Sequence, residues 1–151
     1  MSREVGLRSI RGWLAVLTGF VGVLIPLGQL GSFLALLKAE PILQPRFGQN
    51  WPTYFALTSA IIVARAVICL LVARALIWNR HTSTPKTAAI GIWVALFLLG
   101  LVSVAIAGAL NPEPVHYNGA ATNLFWIVLI CVVATAYLLR SKRVAQTYGN
   151  F

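Results

Sequence analysis

The stretch AIIVARAVICLLVARALIW, residues Ala60–Trp78, decides the fold. It is a continuous apolar run with no alternation of polar and apolar positions, so it predicts a buried or lipid-embedded helix rather than a barrel strand. It also carries Arg65, although the 151-residue chain has only three acidic residues and none of them lies nearby. A central arginine costs roughly 2.5–3.5 kcal/mol on insertion scales, while Leu, Ile, Phe and Val each return roughly 0.3–0.6. Leu57, Ile61, Ile62, Val63, Val67, Ile68, Leu70, Leu71, Val72 and Leu76 together outweigh that cost. The segment can therefore insert, but Arg65 should not face lipid. Arg74 lies about one turn from the end of the run, where a long side chain snorkels to the headgroups.

Working outward, three more stretches reach the roughly twenty residues needed to cross a hydrocarbon core of about 30 Å. With Pro52–Trp78 as the second span, the others are Trp13–Leu37, Lys86–Leu110 and Ala121–Leu139. The chain is 59% hydrophobic and only 10% charged, which excludes an ordinary soluble domain. The expected architecture is all-α: an integral membrane four-helix bundle forming one transmembrane domain over residues 1–151. The net charge of +9 would suggest nucleic acid in a soluble protein. Here the basic residues sit at the ends of apolar runs, so they predict topology signals and contacts with anionic headgroups, and no nucleic-acid partner.

Orientation follows from the flanks. Arg3, Arg8, Arg11, Arg80, Lys86, Arg140, Lys142 and Arg143 fall on one side, and Lys38 and Arg46 on the other. By the positive-inside rule the N-terminus and C-terminus are both cytoplasmic, with Lys38–Trp51 and Asn111–Ala120 as connecting outer loops. Glu40, Glu113, His116 and Tyr117 would then lie outside. In STPK, Thr84 is the expected N-cap and Pro85 the first helical residue. Trp13, Trp51, Trp78, Trp93 and Trp126 fall near span ends, as an interfacial aromatic belt predicts. The first apolar run is too long for a cleavable signal, and Ser2 and the absence of a C-terminal CaaX cysteine argue against lipid anchoring.

Span one offers polar company for Arg65. Pro26 lies near its middle and frees the carbonyl of Gly22, four residues earlier. Gln29 and Ser32 lie about one turn further outward. Side chains tilt toward a helix N-terminus, which is outward for span two, so Arg65 is expected to reach toward Gln29 more readily than toward Gly22. Gly19, Gly22, Gly28, Gly31 and Ser32 would let another helix approach closely. The candidate packing and anion site is therefore Arg65 with Gln29, Pro26, Gly22 and Ser32. The interfacial basic cluster is Arg140, Lys142 and Arg143.

Catalytic chemistry lacks its parts. Glu4, Glu40 and Glu113 are scattered, and His81 and His116 are expected on opposite sides of the membrane, so no acid and base pair forms. No histidine in a span can ligate haem, no intramembrane carboxylate can carry protons, and no cluster can hold a metal. Cys69 and Cys131 are isolated in apolar segments and are expected to behave as buried small hydrophobes. The chain is thus expected to need no cofactor and no metal, and to be no enzyme.

The two ends carry a resemblance. RGWLAVLTGFVGVLIPL opens with Gly12 and Trp13 and holds Pro26; LLRSKRVAQTY closes with Ser141, Lys142, Arg143, Val144, Thr147 and Tyr148. These stretches, with the spacing of four spans, resemble the family called domain of unknown function 2569, small bacterial inner-membrane proteins with four helices. The resemblance implies an inner-membrane location and no established activity. With short loops and a glycine-rich first span, the expected role is an accessory or scaffold subunit, with membrane lipids and other membrane subunits or a second copy as partners. The alternative is a small transporter or lipid-handling protein that binds an anionic ligand near Arg65.

Overall fold

The computed structural model describes residues 12–79, 81–111 and 118–148. No strand occurs among them. The chain forms α1 (Trp13–Lys38), α2 (Glu40–Phe47), α3 (Trp51–Trp78), α4 (Thr84–Leu110), α5 (Asn118–Arg140) and α6 (Lys142–Tyr148). Four segments are long and apolar enough to cross a membrane: α1, the continuous α2 and α3 unit, α4 and α5.

Helix α3 is the axis of the bundle. Helix α1 packs along one side of it and α4 along the other, while α5 packs on the first half and middle of α4. The near end, which carries the start of α1 and the end of α5, is closed by glycines. A Cβ on Gly22 would lie 2.6 Å from the Cβ of Ala73, and one on Gly91 would lie 2.5 Å from Cγ2 of Val72. Helices α1 and α4 thus grip neighbouring residues of α3, backbone to side chain. In a bilayer, lipid tails would supply no hydrophobic force between the helices, and close dispersion contact of this kind would favour their association. Val21, Cys69, Leu76, Ile92, Ala95 and Cys131 fill the core around the crossing.

The far end is splayed. On α1, Gly28 and Gly31 have nothing within 4 Å of where a Cβ would sit. Residues 122–126 of α5 are all exposed, more than a full turn of helix, with Phe125 at 62% and Trp126 at 55%. The exception is a satellite cluster in which Leu36, Phe47 and Trp51 are buried. There Phe47 stacks on Tyr54 with ring centroids 4.1 Å apart, and Asn50 donates to the carbonyl of Leu110 across 3.2 Å.

Two π turns re-aim the helices at mid-depth. In α1 the wide turn covers Phe20–Leu24, and the N–H of Ile25 donates to the carbonyl of Phe20, five residues back. Pro26 follows at once, and the extra residue lets its ring clear the preceding turn. In α4 the wide turn covers Trp93–Leu98, with no proline near it. The buried face of α4 runs through Ala88, Ile92 and Ala95 and then skips five residues to Gly100. One added residue rotates everything beyond it by about 100° at 3.6 residues per turn.

Several details depart from the sequence reading. The connector Lys38–Trp51 is helical over Glu40–Phe47, and Pro41 sits in its first turn, where a missing N–H costs nothing. The fourth span begins at Asn118 and the third at Thr84. Ser83, not Thr84, occupies the N-cap position of α4, and its hydroxyl bonds Nδ1 of His81 at 2.9 Å instead of capping the helix. Trp13 and Trp78 are 70% exposed at span ends, but Trp51 belongs to the buried far cluster and Trp93 donates from mid-span to Oγ1 of Thr135 at 2.9 Å. An indole with a partner inside the bundle has no need of the interface. The expectations for Arg3, Glu4, Arg8, Arg11, Arg80 and the segment 112–117, with Glu113, His116 and Tyr117, lie outside the described residues.

Candidate functional site

Arg65 stands at the middle of α3, fourteen residues after Trp51 and thirteen before Trp78. At 1.5 Å per residue, about 20 Å of helix separates it from either end. Its partly buried side chain enters a cleft of about 350 Å³ lined by residues of α1, α3 and α4. The walls are Gln29, Ser32, Ala35, Leu36 and Ala39 on the α1 side, Thr58, Ile61 and Ile62 on α3, and Ser103 on α4. The cleft runs from Arg65 and Gln29 at its base to Ala39 at the far rim, about 15 Å along α1.

The π turn in α4 makes this arrangement. It brings Gly100 round to α3, where a Cβ would lie 3.2 Å from Nη2 of Arg65 and 3.9 Å from Cδ1 of Ile127. The missing side chain leaves room for the guanidinium, and α5 closes the back through Ile127. Gly100, Ser103 and Thr58 escape sequence reasoning. The face of Gly100 and Ser103 depends on a register shift that nothing in WVALFLLG announces.

Donors and acceptors in the cleft do not balance. The Ser32 hydroxyl donates to the carbonyl of Gly28 at 3.0 Å, and the Ser103 hydroxyl to that of Gly100 at 3.2 Å, so both offer the cleft only lone pairs. Nε of Arg65 is buried without a hydrogen-bond partner, and so is Oε1 of Gln29. Glu40 is the one acidic residue among those described; it lies exposed at the start of α2 and makes no ion pair with Arg65. A buried polar group without a partner is costly, so Nε of Arg65 calls for an acceptor and Oε1 of Gln29 for a donor.

Of the residues singled out from the sequence, Arg65, Gln29 and Ser32 share this cleft. Gly22 does not. It lies against Ala73 at the near crossing, and Pro26 is half-buried beside the π turn without lining the cleft. Arg140 and Lys142 are exposed at the junction of α5 and α6; the side chain of Arg143 lies outside the described residues. No group of three potential metal ligands occurs among the described residues.

The C-terminal motif divides by helical spacing. Val144 and Tyr148, one turn apart on α6, are 1% and 2% exposed. The Tyr148 hydroxyl donates to the carbonyl of Leu76 at 2.6 Å. That carbonyl lies in the last turn of α3, where helical carbonyls begin to run out of partners within their own helix. At the other end of the chain, Gly12 enters α1 at φ 69°, a left-handed conformation that glycine alone adopts without strain.

A family model described as protein of unknown function (DUF2569) matches residues 7–149, nearly the whole chain. The chain belongs to that family. No curated protein and no solved structure matches it. In this DUF2569 member, the residues of the resemblance thus include backbone-shaping Gly12 and the core anchors Val144 and Tyr148, while Arg65 stands in a cleft far from both.

Proposed function

We propose that this DUF2569 protein is a non-enzymatic, multi-pass protein of the bacterial inner membrane that serves as an accessory or scaffold subunit. It docks on a larger membrane assembly through the splayed far half of its bundle. The observation that supports this reading is the asymmetry of packing. Glycines close the near half to backbone contact, whereas Gly28 and Gly31 of α1 have nothing within 4 Å of where a Cβ would sit and residues 122–126 of α5 are exposed. Lipid alone would solvate those apolar turns, but it would not satisfy the polar base between them.

With both termini cytoplasmic, Arg140, Lys142 and Arg143 meet anionic headgroups, each worth roughly 1 kcal/mol. Reporter fusions after Phe151 and within the Lys38–Trp51 connector test that orientation; a periplasmic C-terminus would overturn it. The docking itself is tested by native mass spectrometry of the protein extracted gently from its own membrane. A stoichiometric second protein is expected, and a chain that always emerges alone would defeat the reading.

A second reading is favoured by one feature, the polar groups spaced along the cleft from the far rim to Arg65. In it the protein binds a small anion or handles an anionic lipid. Binding to the folded state raises the melting temperature by mass action. An anion-dependent rise that Arg65→Gln abolishes would support it, and a wild-type protein that no anion or anionic lipid stabilises would exclude it.

A further inference from the structure

Resting on the docking reading, we propose that the partner is a transmembrane helix of a different protein that carries an Asp or Glu at mid-membrane depth. This carboxylate would enter the far cleft to pair with Arg65. Three observations fix the chemistry. The Arg65 guanidinium has no counter-charge, and its Nε is buried without an acceptor. The cleft beside it is walled on one side by α1, whose outward turns at Gly28 and Gly31 are bare backbone with nothing within 4 Å. Small residues of that kind let a second helix come close enough for a short side chain to reach across.

Depth selects among carriers of negative charge. Arg65 lies about 20 Å along the helix from either end, and its side chain spans only a few ångströms. A lipid phosphate rides at the headgroup level, outside a half-thickness of about 15 Å of hydrocarbon, and would have to sink most of that distance to reach the guanidinium. A carboxylate on a spanning helix is already at that depth. Its own insertion cost is relieved by the pairing, and an arginine fork accepts a carboxylate in two parallel hydrogen bonds. A second copy of this chain cannot supply the group, because Glu4, Glu40 and Glu113 are its acidic side chains and none lies near the middle of an apolar span.

The test uses the full chain in its own membrane. A photo-reactive amino acid replaces Gly28, where no neighbour is displaced, and in a second variant replaces Ser103; cross-linked peptides are then sequenced. The expected adduct is an apolar segment of another protein with Asp or Glu near its centre. Arg65→Gln should cut the adduct yield by about tenfold or more, and Arg65→Lys should retain most of it. If Arg65→Gln fails to accumulate, changing the partner's acid to its amide puts the same question to an intact chain. Exchanging the charges between the two proteins should restore the adduct. An adduct with a helix that has no acid, an adduct with a second copy, or a yield indifferent to Arg65→Gln overturns this inference and leaves docking in place. Lipid adducts alone, or none at either position, overturn the docking reading as well.

Discussion

Replacing Gly22 with Ala tests what holds the bundle together. The new Cβ would lie 2.6 Å from the Cβ of Ala73, more than 1 Å inside ordinary carbon contact. Neither atom belongs to a flexible side chain, so relief requires α1 and α3 to separate at their tightest point. Overpacking of this kind costs about 1–3 kcal/mol. Ala also favours helix over Gly by up to about 1 kcal/mol, and Gly28→Ala, with nothing within 4 Å, isolates that gain. That gain is common to both, so Gly22→Ala should be less stable than Gly28→Ala by about 1–3 kcal/mol, measured by denaturant titration in detergent. Because Ala73 is the atom struck, Gly22→Ala with Ala73→Gly should recover most of the loss, a coupling that a double-mutant cycle reads directly. Equal stability of Gly22→Ala and Gly28→Ala, or no recovery in the double variant, would refute the close crossing and with it the closed near half.

Tyr148→Phe removes a hydroxyl donor from the Leu76 carbonyl and should cost about 1–3 kcal/mol, read as earlier thermal unfolding and faster proteolysis of α6; an unchanged protein would mean that another donor serves that carbonyl instead. Gly100→Ala meets the far end of a flexible side chain, Nη2 of Arg65, at 3.2 Å and Cδ1 of Ile127 at an ordinary 3.9 Å, so thermal unfolding should show a loss under about 1 kcal/mol, less than for Gly22→Ala. The thiols of Cys69 and Cys131 are 1% and 0% exposed, and a water-soluble maleimide should label neither until the bundle unfolds. Prompt labelling of either would contradict the near-half core.

Much of the architecture is legible in the apolar runs, because in lipid every backbone polar group must be satisfied within its own helix. Run length therefore translates almost directly into a candidate span: three of the four stretches appear within a few residues of their expected limits, while the second extends back from Pro52 to Glu40. The connector at 38–51 was harder to read. Pro41, Pro45 and Gly48 resemble loop punctuation, yet Pro41 starts a helix whose Phe47 joins Trp51 in a buried cluster. The tryptophans show the same limit, since position near a span end does not reveal whether an indole finds a partner inside.

The sequence by itself determined that Arg65 must be shielded from lipid, that Gln29 and Ser32 lie at a depth to meet it, and that Pro26 must disturb its helix. Each follows from insertion energies, the rise of a helix and the missing N–H of proline. Which faces meet was decided only in three dimensions. The π turn at Trp93–Leu98 rotates Gly100 and Ser103 onto Arg65, and Gly22 and Gly91 become pivots while Gly28 and Gly31 stay bare. One residue more or less in a turn shifts every later side chain by about 100°, and glycines of identical composition become contact or open surface according to that rotation.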